Sequence, residues 1–209
     1  MLITIDDARA YYHGAESAHD FDHVLRVFAL AERLARAEGA DVEIVRAAVL
    51  LHDMARADED ATGGDHAQMA AERARVILLE RGATSAQADA IAHAIAAHRF
   101  RSSAPPQTLE AQILFDADKL DATGAIGVAR AYAVGGALNQ RLWSQVAPDA
   151  VATREQRNSD HTPVAEFVVK LSQLRERMYT ATARQIAEER HAYMVDFFAR
   201  LEREVRGEI

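Results

Sequence analysis

The 209-residue chain has no cysteine. Disulfides and thiolate metal sites are therefore excluded, which leaves His, Asp and Glu as the strong ligands for a transition metal. The absence also fits a cytoplasmic setting. No apolar run approaches the roughly 20 residues needed to cross a bilayer. The first residues, Met1 to Asp7, lack the basic start and apolar stretch of a signal peptide. A soluble cytoplasmic protein with no membrane partner is expected. An excess of positive charge is missing too: 32 acidic residues face 24 basic ones, for a formal charge of −8. That field disfavours a nucleic-acid polymer as partner. No internal repeat and no alternating strand pattern are present.

What is present is a helix-forming composition. Ala, Arg, Glu and Leu dominate, so the fold class expected is all-α. Val24, Leu25, Val27, Phe28, Ala31, Leu34 and Ala35 form a helical stripe over Phe21 to Glu38, which Gly39 ends. Asp41 can cap a helix running through Ile44, Val45, Ala48, Val49 and Leu51 to His52-Asp53. Ala57 to Gly64 is polar and contains glycine, and reads as a loop. Asp65 can cap a helix to Glu80, closed by Gly82, and Thr84 or Ser85 one that reaches His98. Arg101 to Gln107 contains Pro105-Pro106 and reads as a loop. Thr108 and Glu110 start a helix carrying Ile113, Leu114 and Ala117. Glycines 124, 127, 135 and 136 punctuate the next helical stretch and permit close backbone approach. Residues 137–162 have no clear period, and helices are expected over about Pro163–Leu174 and Thr180–Glu204. The organisation expected is a core over 1–136, with an irregular excursion and C-terminal helices over 137–209 packed on it as one structural domain.

Four ligand-type residues stand out by position. His23 lies beside the apolar stripe of its helix. His52-Asp53 closes the run Ala47-Ala48-Val49-Leu50-Leu51, and Asp118 follows Ile113-Leu114-Phe115. A buried carboxylate is costly unless it meets a donor or a cation. Three helices that each bring His or Asp from a core-facing side point to a shared cation. A hydrogen-bonded core histidine is the commoner fate of a lone His on such a face, so the case rests on the conjunction. Neighbouring side chains diverge by about 100° on a helix, so His52 and Asp53 reach one ion only near a helix end. Mixed nitrogen and carboxylate ligands suit one divalent ion of Mn, Fe, Co, Ni or Zn better than Ca or Mg.

At these positions the sequence resembles the HD superfamily of metal-dependent phosphohydrolases, whose H…HD…D pattern is met by His23, His52-Asp53 and Asp118. His19-Asp20-Phe21-Asp22-His23-Val24-Leu25-Arg26-Val27 is similar to the opening helix of the small bacterial YedJ/YpgQ-like subgroup. So are Asp116 to Asp121, Gly124 to Arg130, and the tail from Met178 to Arg190. The resemblance implies a compact helical bundle around a metal held by His23, His52, Asp53 and Asp118. Asp118 is preferred to Asp116 because the superfamily's last aspartate directly precedes a basic residue and Leu, here Lys119-Leu120. Asp116 also lies about 200° away around the helix. Many members carry HD-x-x-K, where this chain has His52-Asp53-Met54-Ala55-Arg56, and His98 is followed by Arg99 rather than Ser.

The resemblance further implies hydrolysis of a phosphoester or phosphoanhydride, with a nucleotide or other phosphoester as the small-molecule partner and nucleoside triphosphate pyrophosphohydrolysis favoured. Cyclic-nucleotide or dinucleotide phosphodiesterase action and a non-catalytic metal-containing helical binding protein are the alternatives. A homodimer is allowed. A divalent ion lowers the pKa of a bound water and polarises a phosphoryl oxygen, with Asp53 both ligand and water-orienting group. Cationic donors expected for the phosphate are Arg26, Lys119 and Arg130. His66 and His98 can contact a leaving group or act as general acid, and each also fits an ordinary cap or surface residue. His19 can support His23, and Asp121 can orient a ligand or a water. His13, His161 and His191 are placed outside the site.

Overall fold

The computed structural model describes residues 2–12, 21–99, 105–147, 150 and 161–209. Every element among them is helical, with no strand, as the composition predicts. The elements are α1 (Ile5–Arg9), α2 (Phe21–Glu38), α3 (Val42–Leu51), α4 (Arg56–Thr62), α5 (His66–Glu80), α6 (Ser85–Ala97), α7 (Leu109–Leu120), α8 (Gly124–Ala137), α9 (Pro163–Val169), a 3₁₀ segment (Leu171–Arg177) and α10 (Ala181–Val205). None is long and apolar enough to cross a membrane. The chain divides into two compact units. The first comprises residues 1–118 and 179–182, the second 119–178 and 183–209.

In the first unit α3 is central and packs against α1, α2, α5 and α6. Val45 and the whole run Ala47 to Leu51 are buried on it. Each fully buried Val or Leu contributes about 1.5–3 kcal/mol relative to exposure, so this ten-residue helix is held by packing rather than propensity. Asp41 caps it, accepting from the Glu43 and Ile44 amides. α2 buries Phe21, His23, Val24, Val27, Ala31, Leu34 and Ala35, so His23 lies on the core stripe itself. Gly39 takes φ +77° and lets the Ala40 amide reach back to the Ala35 carbonyl, closing α2. α5 and α6 form a hairpin turned by Gly82 at φ +87°, with Thr84 capping α6 through a reciprocal pair with Gln87. Alanines 67, 70, 71 and 74 on α5 and 88, 94 and 97 on α6 are buried, and small side chains let the helices approach closely.

Two elements differ from expectation. Residues 57–64 are expected as a loop, yet Arg56–Thr62 is a helix, α4, that ends at Gly63 with φ +71°. This seven-residue helix has no apolar stripe and so leaves no period to read. Its acidic first turn, Asp58 and Glu59, suits the helix dipole, and Arg73 pairs with Asp58. The helix expected over 163–174 gives way at Lys170 to a 3₁₀ segment. The expected loop 101–104 and most of 148–160 lie outside the described residues.

The first unit also contains the start of α10. Asp116, fully buried, accepts hydrogen bonds from the amides of Tyr179 (2.9 Å) and Thr180 (2.8 Å) and from the Thr180 hydroxyl (2.8 Å). A carboxylate is thus satisfied by three donors at a helix N-terminus. The Thr182 amide donates to Glu38 at 2.7 Å.

In the second unit α8 packs on α9, and α9 on the 3₁₀ segment. Gly127 is required there: a Cβ at that position would lie 2.3 Å from the Ala122 carbonyl oxygen. Asp121 is buried and accepts from Arg130 at 2.8 Å, while Arg190 donates to the Leu120 carbonyl at 2.6 Å.

Candidate metal centre

Six imidazole and carboxylate side chains converge within the first unit. His52 is the residue after α3, where its own amide still donates to the Val49 carbonyl, and Asp53 follows in a turn. The helix therefore ends where two adjacent side chains must aim at one place. His23 comes from α2, His66 opens α5, His98 closes α6, and Asp118 comes from α7. His23, His52, Asp53, His66 and His98 are all buried.

Asp53 lies between two groups of nitrogens. Its Oδ2 is 3.7 Å from His52 Nε2 and 3.9 Å from His23 Nε2, and His23 Nε2 is 3.3 Å from Asp118 Oδ1. Its Oδ1 is 3.4 Å from His66 Nε2 and 3.5 Å from His98 Nε2. These spacings are too long for good hydrogen bonds. They suit atoms that share an ion: with ligand bonds of about 2.0–2.2 Å, neighbouring ligand atoms sit roughly 3.0–3.5 Å apart and opposite ones about 4.2 Å. Among the described residues, two overlapping sets can hold an ion, His23-His52-Asp118 and His52-Asp53-His98, each with ligand atoms within 4.8 Å of one another.

The second nitrogens of three rings are fixed from behind. His52 Nδ1 is 2.7 Å from the Val49 carbonyl, His98 Nδ1 is 2.6 Å from the Ile95 carbonyl, and His66 Nδ1 is 2.7 Å from Glu59 Oε2. A carbonyl or carboxylate oxygen only accepts, so Nδ1 carries the proton in each ring. A ring that holds its proton on Nδ1 turns an Nε2 lone pair towards Asp53, and that of His66 also lies 3.4 Å from Arg56 Nη1. A backbone or carboxylate acceptor behind a histidine is the arrangement that orients a metal-ligating imidazole. Among the described residues, the buried His52 Nε2 has no hydrogen-bond partner. An orphaned lone pair beside a buried carboxylate is costly in protein alone and is satisfied by a cation. The donor set therefore fits a divalent transition metal.

Electrostatics follow from burial. Burial lowers His52 from 6.5 to about 4, against the opposing charge of Asp53, and lowers His66 in the same direction. For Asp53 burial acts to raise the carboxyl, whereas the positive charge of His52 and His98, when those rings are protonated, acts to lower it well below the usual carboxylate range. Burial of the Tyr12 hydroxyl, with the Asp53 charge nearby, pushes that phenol well up. Tyr12 donates to the Leu50 carbonyl at 3.1 Å and packs edge-on against Phe21, bracing the end of α3 from the N-terminal segment.

Of the residues singled out from sequence, His23, His52, Asp53, His66, His98 and Asp118 are brought together. Arg26 is half-buried on α2, one turn after His23. Lys119, Asp121 and Arg130 belong to the second unit, where Arg130 donates to both the carboxylate and the carbonyl of Asp121. His161 in that unit pairs with Glu166 at 2.9 Å, and His191 stacks on Phe167. His13 and His19 lie outside the described residues. Sequence reasoning missed Glu59 and Tyr12. Glu59 was hidden in a segment read as loop, and Tyr12 carries no spacing signal.

An all-helical chain whose buried His and Asp side chains meet around a His-Asp pair at a helix end has the build of an HD-domain protein. The chain belongs to the HD domain family, whose model matches residues 20–123. It is similar to YpgQ of Bacillus subtilis, 33% identical over 195 residues that cover 91% of this chain and 86% of that one. The structure of YpgQ in complex with ADP superposes with a TM-score of 0.72 at 32% identity, covering 96% and 94% of the two chains. An HD-superfamily hydrolase from Bacillus thuringiensis gives a TM-score of 0.74 at 29% identity, covering 97% and 94%. Ribonuclease Y of Chloroflexus aurantiacus is 38% identical over 112 residues, 54% of this chain but 20% of that protein.

Proposed function

We propose that the chain is a metal-dependent phosphohydrolase acting on a nucleotide, with release of pyrophosphate from a nucleoside triphosphate as the favoured reaction. The observation that carries this reading is the orphaned His52 Nε2 beside Asp53, in a cage where His52, His66 and His98 turn Nε2 towards that carboxylate. The YpgQ relative binds ADP in its solved complex, which supports a nucleotide as the ligand.

His23, His52, Asp53 and Asp118 would hold the ion. A divalent ion bound there supplies Lewis-acid charge to a phosphoryl oxygen and brings a water towards its ionised form at neutral pH. Asp53 would accept a proton from a water on its Oδ1 side, the side that His66 and His98 face. A role for either ring as general acid requires it to gain a proton first, and the burial of His66 works against that. Arg26, on the helix that carries His23, is the donor for substrate phosphate in the first unit.

Hydrolysis of a nucleotide panel with Mn, Co, Ni or Zn, with phosphate and pyrophosphate measured separately, tests the reading. Pyrophosphate release that a chelator abolishes is expected. The match to Ribonuclease Y favours a second reading, cleavage of a phosphodiester, which cyclic and dinucleotide substrates in the same panel would reveal. Metal binding with no turnover on any of these substrates would assign the chain as a non-catalytic binding protein.

A further inference from the structure

The three histidines around Asp53 share one tautomer but do not obtain it in the same way. His52 and His98 each follow the last turn of a helix, where unsatisfied carbonyls three residues back accept Nδ1–H. His66 is the first residue of α5. Free backbone groups at a helix start are amides, which donate, so no local carbonyl can fix this ring. A side-chain acceptor has to do it.

That acceptor is Glu59, seven residues earlier on α4, with Oε2 2.7 Å from His66 Nδ1. The ring has a carboxylate on each side, since Nε2 lies 3.4 Å from Asp53 Oδ1, and Arg56 Nη1 lies at nearly equal distances from the two nitrogens, 3.2 Å from Nδ1 and 3.4 Å from Nε2, so it selects neither. A neutral ring has one proton for two carboxylates. The 2.7 Å contact has the length of a charge-assisted hydrogen bond and the 3.4 Å contact does not. The proton therefore sits on Nδ1. Glu59 is itself held in place: Arg99 Nη2 donates to its other oxygen at 2.8 Å, and Arg56 Nη1 is 3.3 Å from Oε2. Arg99 is anchored in turn by Asp65 at 3.1 Å.

We propose that Glu59 is the positioning residue for His66, accepting a hydrogen bond from its Nδ1–H so that an unprotonated Nε2 faces Asp53 in the hydrolytic site. The orientation stands on geometry alone, and its kinetic consequence rests on the phosphohydrolase reading. Loss of Glu59 frees the ring to carry its proton on Nε2 and bond to Asp53 Oδ1, which removes both the lone pair and an acceptor from the site.

The test compares the full-length wild type with Glu59→Ala and Glu59→Gln. Glutamine keeps shape and volume, but arginine can only donate. The amide oxygen is therefore drawn to Arg99, and the amide NH₂ is turned towards His66 Nδ1. Ring nitrogen–proton correlation spectra of the metal-free protein report the tautomer, with His66→Ala used to assign the signal. The wild type should show Nδ1–H and both variants Nε2–H. In the metal-loaded protein kcat should fall at least about tenfold, as for loss of other groups behind a metal-site histidine. A merely structural Glu59 would be replaced by Gln without change in either readout. Retention of Nδ1–H in Glu59→Gln overturns the proposal, as does a reversed tautomer with wild-type kcat. A wild type that turns over no phosphate substrate defeats the functional reading instead, and leaves the spectra to decide the role of Glu59.

Discussion

Asp53 Oδ2 lies 3.7 Å from His52 Nε2, the adjacent residue, while the other nitrogen of that ring lies 2.7 Å from the Val49 carbonyl. The helix end thus does two things at once. It turns two neighbouring side chains towards one point, and it lends a carbonyl that fixes which nitrogen of His52 is bare.

Asp53→Ala removes the carboxylate that both groups of nitrogens face. Loss of a group that merely supports a ligand costs 10–100-fold in affinity or activity, so loss of this one should weaken Mn or Zn binding by at least about 100-fold. Titration calorimetry on the metal-free protein measures this. Turnover should vanish with the metal, and retained activity would sink the proposed mechanism.

Asp116 and Asp118 should separate cleanly. Asp116→Ala strands the Tyr179 and Thr180 amides and should cost on the order of 3 kcal/mol in urea unfolding, with metal affinity retained. Asp118→Ala should weaken metal binding and leave the metal-free protein nearly as stable as the wild type. The opposite pattern would exchange their roles.

The metal-free protein should lose stability as pH falls from about 6.5 to about 4. In that window the unfolded chain protonates His52, whose usual value is 6.5, while the folded chain holds it neutral down to about 4. The unfolded state binds the extra proton, so stability rises with pH by up to about 1.4 kcal/mol per unit and is fully present above 6.5. His66 acts in the same direction. Urea midpoints at pH 5 and 7 should shift more for the wild type than for His52→Gln, and equal shifts would contradict this.

Gly127→Ala tests the tight start of α8. Alanine improves helix propensity by about 1 kcal/mol, but its Cβ would meet the Ala122 carbonyl oxygen at 2.3 Å. Overpacking against backbone costs about 1–3 kcal/mol or more, so the clash wins and the melting temperature should drop. A rise would show that the turn relaxes freely.

Much of this protein is legible in its sequence, because the signals are local. The α2 stripe with His23 on it, the Asp41 and Thr84 caps, and the Gly39 and Gly82 stops each depend on residues within one or two turns. The apolar run ending in His52-Asp53 marked the helix end for the same reason. Helix α4 escaped notice because a short polar helix has no buried face to give it a period, and with it went Glu59. Asp116 shows the other limit. Its face on α7 can be computed, but its partners are 63 and 64 residues away. The sequence by itself determined the helical class and which side-chain types are available to a cation, since propensity, period and side-chain type are properties of the chain. Only the tertiary structure decided that Asp53 lies between two groups of histidines and that Glu59 lies behind His66. Those facts depend on side chains from separate helices meeting at hydrogen-bond or ligand distance, which no spacing along the chain encodes.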